Sequence, residues 1–168
     1  PRPKISAYHN MPYAIFRYPP DDEFAVRGEV AMLRTRLEQA NKRVTIISLA
    51  TCLEIALERE GITSAEIKMT EQVTGTATMV NTIHKVLSEY QLLDELVAEQ
   101  LPETAAPLVD VVFITRSGAL FPFYRTSSLL EQLKGKVEVP AVLFYPGDLD
   151  GAAGLRFMGV LDAENNYR

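Results

Sequence analysis

Two short apolar runs dominate the pattern of hydrophobic and polar positions along the chain. Residues 111–114 (VVFI) and 141–144 (AVLF) are β-branched, aliphatic or aromatic and lack polar alternation. Strands that are covered on both faces of a parallel sheet have this pattern. Ser128 and Glu131, which lie between the two runs, fit a capping box at the start of a helix. The segment therefore predicts a strand, a crossover helix and a second, parallel strand.

The same criteria assign the other elements of the chain. Further strands are predicted at residues 13–18 and 44–49, with another at 155–160. One helix is predicted from Asp21 or Asp22 to about Ala40, and a second from a capping box at Thr51 and Glu54 to Gly61. A further, short helix is predicted to begin at Ser64. Residues 79–101 predict either one long helix or two helices separated near Tyr90. The Thr- and Gly-rich residues 70–78 give no clear pattern.

Strands and helices alternate along most of the chain. This order predicts a single α/β domain over residues 1–168, layered around a mainly parallel sheet of four to five strands flanked by helices. Residues 1–12 are predicted to form an extended arm because they are rich in proline and lack periodicity. The pattern is similar to that of a P-loop-type core, but the Walker A sequence Gly-x-x-x-x-Gly-Lys-Ser/Thr is absent.

Composition narrows the class of protein. Hydrophobic residues make up 47% of the chain and charged residues 23%, and no apolar run approaches the length of a membrane helix. The first residues lack the apolar core of a secretory signal, so we expect a cytoplasmic protein. One cysteine and two histidines give neither a disulfide nor a zinc-ligand pattern. The net charge of −5 argues mildly against nucleic-acid binding.

Candidate catalytic groups are isolated from the partners they would need. Cys52 is predicted at a helix start but has no neighbouring histidine in the sequence, so it is interpreted as a small core residue. Ser117 is not in a nucleophile elbow, because the sequence Gly-x-Ser-x-Gly is absent. Asp110 precedes an apolar strand, as an acid does in phosphate-loop NTPases, but the phosphate-binding loop is absent. Asp148 and Asp150 could ligate Mg²⁺, although acids beside glycine are more often a turn. We therefore expect neither an enzyme nor a cofactor.

The predicted site is the edge where the two central strands end. In open α/β sheets ligands bind beyond the carboxyl ends of the strands, so the loops at residues 115–125 and 145–148 should share one rim. Arginine and aromatic residues anchor protein interfaces and can also stack on bases. The alternative is that Phe121 and Phe123 enter the core while the arginines are solvated. The candidate partner-binding residues are Arg116, Phe121, Phe123, Tyr124, Arg125, Tyr145, Asp148 and Asp150.

Several segments, taken in order, also resemble a known family. They are residues 16–20 (FRYPP), 110–115 (DVVFIT), 118–123 (GALFPF), 125–130 (RTSSLL), 139–147 (VPAVLFYPG) and 164–168 (ENNYR). Together they resemble the BrxB family of bacterial BREX phage-defence systems over most of the chain. The family's paired Tyr-Tyr before a late Arg is replaced here by Asn166-Tyr167-Arg168, so we expect the last contacts to be altered or truncated.

The resemblance implies a cytoplasmic defence component that acts in an assembly and has no established chemistry of its own. It also implies a PglZ-type alkaline-phosphatase-like protein as partner, with other BREX components as further candidates. The leading hypothesis is a non-catalytic protein–protein adaptor. The alternative is a nucleotide- or nucleic-acid-binding subunit of the same defence system.

Overall fold

Four parallel strands form the centre of the molecule in the computed structural model, which describes residues 13–150, 154–157 and 163–164. They are β1 (Tyr13–Tyr18), β2 (Arg43–Ser48), β3 (Asp110–Thr115) and β4 (Ala141–Asp150), and their order across the sheet is β2-β3-β4-β1. The two apolar runs therefore pair directly, with Val112 opposite Ala141. The α/β class and the parallel sheet predicted from the sequence are confirmed.

In the described part of the chain, six helices connect or flank the strands. They are α1 (Glu23–Gln39), α2 (Leu49–Arg59), α3 (Ser64–Thr74), α4 (Thr76–Lys85), α5 (Leu93–Ala98) and α6 (Thr126–Gln132). A π-helical turn at Val86–Tyr90 follows α4, so the prediction of two helices separated near Tyr90 is confirmed. Short 3-10 turns lie at Pro20–Asp22 and Ser117–Leu120.

Among the described residues, two further strands continue the sheet from the last four residues of β4. β5 (Gly154–Phe157) pairs antiparallel with β4, and β6 (Ala163–Glu164) pairs antiparallel with β5. The predicted strand at 155–160 overlaps β5, while residues 158–160 lie outside the described part of the chain. The turn predicted at Asp148 and Asp150 is wrong, because β4 continues through both residues.

Both predicted capping boxes that followed a strand are wrong. Helix α2 begins at Leu49, where Ser48 Oγ accepts the Thr51 N–H at 3.3 Å. The last residue of β2 thus caps the helix, so Thr51 lies inside it. Helix α6 begins at Thr126 without a side-chain cap, which places Ser128 in its first turn.

A true capping box starts α3, which begins at Ser64 as predicted and continues into the Thr- and Gly-rich stretch that gave no clear sequence pattern. Thr63 Oγ1 accepts the Glu66 N–H at 3.2 Å, and Glu66 Oε2 accepts the Thr63 N–H at 2.7 Å. Downstream, the hydroxyls of Thr74, Thr78 and Thr82 donate to carbonyls one turn earlier. These bonds satisfy the polar side chains locally, so a Thr-rich sequence forms helices here.

Strand alternation divides the apolar side chains between two cores. Val112 and Ile114 face the larger core, which is completed by side chains from α2, α4, α5 and α6. Phe113 faces the smaller core, where Tyr18, Val30 and Phe144 are also buried. Among the helices of the described residues, α1 alone contributes buried side chains to this smaller core. One face of the sheet is therefore thickly covered and the other thinly.

Asp110 lies at the amino end of β3, away from the edge where a phosphate-binding group would act. Its carboxylate accepts Arg43 Nε at 2.8 Å, Arg43 Nη2 at 2.7 Å and the Ala106 N–H at 2.7 Å. Arg43 thus holds β2 and β3 together at their starts. The acid before the apolar strand has a structural role.

Candidate functional site

A crevice opens where the parallel strands end, between α1 and the sheet. The connection after β1 leads to α1 on the smaller-core face, whereas the connection after β3 contributes Leu120, Leu129 and Leu130 to the larger core. The connections after these two strands thus leave the sheet on opposite faces. In open α/β sheets, ligands bind at the crevice that forms at such a point. The cavity there has a volume of about 250 Å³.

The walls of the crevice are apolar and its rim is charged. Apolar side chains come from α1, β2 and β4, namely Val26, Val30, Ala31, Ile46 and Phe144. Polar side chains come from the ends of β1 and β3 and from the first turns of α1, namely Tyr18, Glu23, Arg27, Thr115 and Arg116. The wall of the cavity is therefore apolar, whereas its mouth is polar and charged.

Glu23 is the centre of the charged rim. Its Oε1 accepts Arg27 Nε at 3.0 Å and lies 3.4 Å from Arg116 Nε, while its Oε2 accepts the Tyr18 hydroxyl. Burial, and then the bond to Glu23, raise the pKa of Tyr18, so this phenol stays a donor at physiological pH. Two guanidinium groups face a single carboxylate, which leaves the rim with an excess positive charge.

Arg116 occupies a strained position at the end of β3. Its φ of 60° and ψ of 33° fall in the left-handed region, which non-glycine residues rarely adopt. The next residue, Ser117, is buried, and its hydroxyl donates to the Phe144 carbonyl at 2.8 Å. This bond ties the loop to β4 and fixes the turn that sends Arg116 into the crevice.

The aromatic residues predicted on the rim lie on the other side of the sheet. Tyr124 and Tyr145 are buried in the larger core, and the Tyr124 hydroxyl donates to Gln132 Oε1 at 2.8 Å. Phe121 and Phe123 are partly buried against the same core. The strand ends do share one edge, as predicted, but these side chains pack inward from it, in agreement with the alternative that placed both phenylalanines in the core.

The remaining predicted residues are dispersed. Arg125 is exposed at the position before α6. Asp148 and Asp150 lie in β4 opposite Arg156 and Gly154, and their side chains lie outside what the structure describes. Among the candidates whose side chains the structure describes, Arg116 alone lines the crevice. Within the described residues, no group of three or more His, Cys, Asp or Glu side chains could hold a metal ion.

A second feature, which the sequence analysis missed, is an apolar surface beside the crevice. Phe24 is 80% exposed and Met32 47% exposed on α1, and Phe16 is 50% exposed on β1. The Phe16 ring lies 5.6 Å from the Phe144 ring, and Arg27 lies over the Phe24 ring at 4.9 Å. We call Phe16, Phe24 and Met32 the α1 surface.

A signal for the α1 surface was present in the sequence. Val26, Val30, Leu33 and Leu37 recur at helical spacing along α1, whereas Phe24 and Met32 fall on another side of the helix. An amphipathic helix with a single buried face would carry polar residues there. In the structure Val30 is the buried residue of α1, so large apolar groups off the stripe are left facing solvent.

Sequence comparisons were made with protein families, curated proteins and solved structures. The family model described as BREX protein BrxB matches residues 45–168, which include Thr115, Arg116 and Phe144 of the crevice. A curated protein from Bacillus cereus (strain H3081.97), named BREX protein BrxB, is 30% identical over 158 residues, covering 93% of this chain and 80% of that relative. No solved structure matched the chain. Within the described residues, no helix is long and apolar enough to cross a membrane.

Proposed function

The chain belongs to the BrxB family of BREX proteins, and from this premise we propose that it is a non-catalytic component of a phage-defence complex. In this role it acts as a protein–protein adaptor for a PglZ-type alkaline-phosphatase-like partner. Family membership indicates the defence system in which the chain acts, and the α1 surface is the proposed binding surface. Other components of the same system are further candidate partners.

The observation that carries the proposal is the exposure of Phe16 on β1 and of Phe24 and Met32 on α1. Phe16 contacts Phe144 of the crevice wall, and Phe24 contacts Arg27 of its rim. Exposed apolar side chains that are grouped and rimmed by polar residues mark interaction sites. Aromatic residues, methionine and arginine are the types enriched at protein interfaces, and Arg27 already lies over the Phe24 ring. The α1 surface, with Arg27 and Arg116 beside it, therefore replaces the inward-packed aromatics as the docking surface.

The partner implied by this surface presents apolar side chains for Phe24 and Met32. It also presents acidic groups at the rim, where two arginines surround Glu23. Electrostatic complementarity of this kind raises the association rate and sets orientation more than it raises affinity. We therefore expect binding to depend mainly on the apolar residues and its rate to fall with salt.

The test is a titration of the full-length chain with the purified PglZ-type partner, after co-purification and mass measurement of the complex. Phe24→Ser combined with Met32→Ser should weaken binding by about 30-fold or more, the scale of an interface hot spot. Both residues are exposed, so the variant should fold like the wild type.

A matched control is available on α3. Met69 is 64% exposed and Val73 77% exposed, and both lie outside the α1 surface. Met69→Ser combined with Val73→Ser removes similar exposed apolar area and should leave binding unchanged. Full affinity in the Phe24/Met32 variant would remove the α1 surface as the docking site, and no complex with the wild-type chain would remove this partner.

A further inference from the structure

We infer that the crevice between α1 and the strand ends binds a small organic carboxylate that has an apolar body. This inference shares Arg27 and Arg116 with the adaptor proposal, but it concerns the cavity and is tested without a partner protein, so either one can fail alone. Three observations carry it: the chemistry of the cavity wall, the charge of its rim and the backbone conformation of Arg116.

The cavity wall suits a compact apolar group. Val26, Val30, Ile46 and Phe144 line a volume of about 250 Å³. Small-molecule sites in proteins are mostly apolar and contain a few polar groups that fix the ligand's orientation. A ring or a short alkyl chain in this space would bury its surface against these side chains.

The rim suits a single carboxylate. Arg27 and Arg116 both turn Nε towards Oε1 of Glu23, which fixes the orientation of the two guanidinium planes. Within the described residues, their terminal amino groups have no hydrogen-bond acceptor. Glu23 balances one positive charge and leaves the other, so one anionic group is the complement. Guanidinium groups match the geometry of a carboxylate through paired N–H donors.

The backbone conformation of Arg116 is the third observation. A non-glycine residue in the left-handed region costs free energy, and such residues cluster at ligand clamps and active sites. Here the cost is met by the Ser117–Phe144 hydrogen bond. The strain positions one guanidinium at the mouth of the cavity before any ligand arrives, which lowers the entropic cost of binding.

The inference is tested by calorimetric titration of the full-length chain with phenylacetate and hexanoate. Phenylacetamide serves as the neutral analogue, and inorganic phosphate serves as an anion without an apolar body. Both carboxylates should bind saturably. The amide should bind at least about 10-fold more weakly, because it loses the charge-assisted hydrogen bond. Phosphate should also bind at least about 10-fold more weakly, because it buries no apolar surface in the cavity.

Three variants locate the site. Arg116→Gln should weaken phenylacetate binding by about 10-fold or more and leave the amide unchanged. Ala31→Leu narrows the cavity from an exposed helix position, so it should weaken acid and amide alike. Arg125→Gln is the matched control, because Arg125 is exposed outside the crevice, and it should have no effect.

Four outcomes would overturn the inference. They are equal affinity for phenylacetate and its amide, equal affinity for phosphate, an unchanged affinity in Arg116→Gln, and no saturable binding of either carboxylate at millimolar concentration. Circular dichroism of each variant shows whether the fold is retained. Since Arg116 and Ala31 are both at least partly accessible, loss of folding is not expected in either variant.

Discussion

The ion pair between Arg43 and Asp110 should be the most sensitive polar contact of the sheet. The Asp110 side chain is 2% exposed and accepts three hydrogen bonds, two of them from Arg43. Asp110→Asn keeps the shape of the side chain but replaces one acceptor oxygen with a donor and removes the charge. The Arg43 fork and the Ala106 N–H can then no longer all be satisfied.

The magnitude follows from the unequal burial of the two partners. Each hydrogen bond to a charged group contributes about 1.5–3 kcal/mol. The Arg43 side chain is 60% exposed, so water compensates part of the loss when the pair is broken. We therefore expect Asp110→Asn to lower the free energy of unfolding by about 2–3 kcal/mol, the value of roughly one such bond. For a domain of this size the melting temperature should fall by about 4–12 °C.

Urea unfolding followed by circular dichroism measures this change. Glu131→Gln is the matched control, because Glu131 pairs with Lys134 on the surface and such a pair contributes about 0.5 kcal/mol or less. If Asp110→Asn proved no more destabilising than Glu131→Gln, the Arg43–Asp110 pair would not hold the two strands together as argued.

The same pair makes stability depend on pH in a defined direction. The hydrogen bond from Arg43, followed by that from Ala106, holds the pKa of Asp110 below its usual range. The unfolded chain then binds a proton at a higher pH than the folded chain does. The stabilisation is therefore complete above the ordinary aspartate pKa of about 3.9 and is lost as the pH falls through the lower pKa of the folded state. Asp110→Asn should flatten this part of the acid unfolding curve.

Three other substitutions and reactions test separate parts of the fold. Thr63→Ala removes the cap of α3 and should lower the free energy of unfolding, measured in urea, by about 1 kcal/mol. Ser64→Ala in the first turn of the same helix is the control and should leave this free energy almost unchanged. Phe113→Ala should cost about 3–5 kcal/mol, because Phe113 is buried between the sheet and α1, and a cost below about 1 kcal/mol would contradict a packed smaller core. Burial raises the pKa of the Cys52 thiol, so Ellman's reagent should react with it only after unfolding; rapid reaction of the native protein would show that the site opens.

Much of the fold could be predicted because its signals are local. The strands β1 to β4 are apolar or β-branched and lie beside turn residues, and their first residues were predicted to within one position. The end of β4 was not, because the strand continues past the apolar run to Asp150. Helix starts were less predictable. A capping box is a four-residue pattern that occurs by chance, and in α2 the side chain of Ser48 reaches the helix first.

The candidate site was only partly predictable. Arg116 was found because it follows a strong strand, and the carboxyl ends of parallel strands meet at one edge. Tyr18, Glu23 and Arg27 were missed because they belong to the crevice only through the position of β1. No local pattern states which strand will lie beside β4.

The sequence by itself determined the alternation of strands and helices, the α/β class and the edge at which a ligand or partner would be sought, since these follow from short-range periodicity and strand direction. Tertiary structure alone decided that β1 pairs with β4, opposing Phe16 to Phe144, and that α1 covers the smaller core. It also decided that Tyr124 and Tyr145 pack inward while Arg116 meets Glu23. The reason is that these contacts join residues far apart in the chain, and their free energy depends on which faces come together and not on any neighbouring residue.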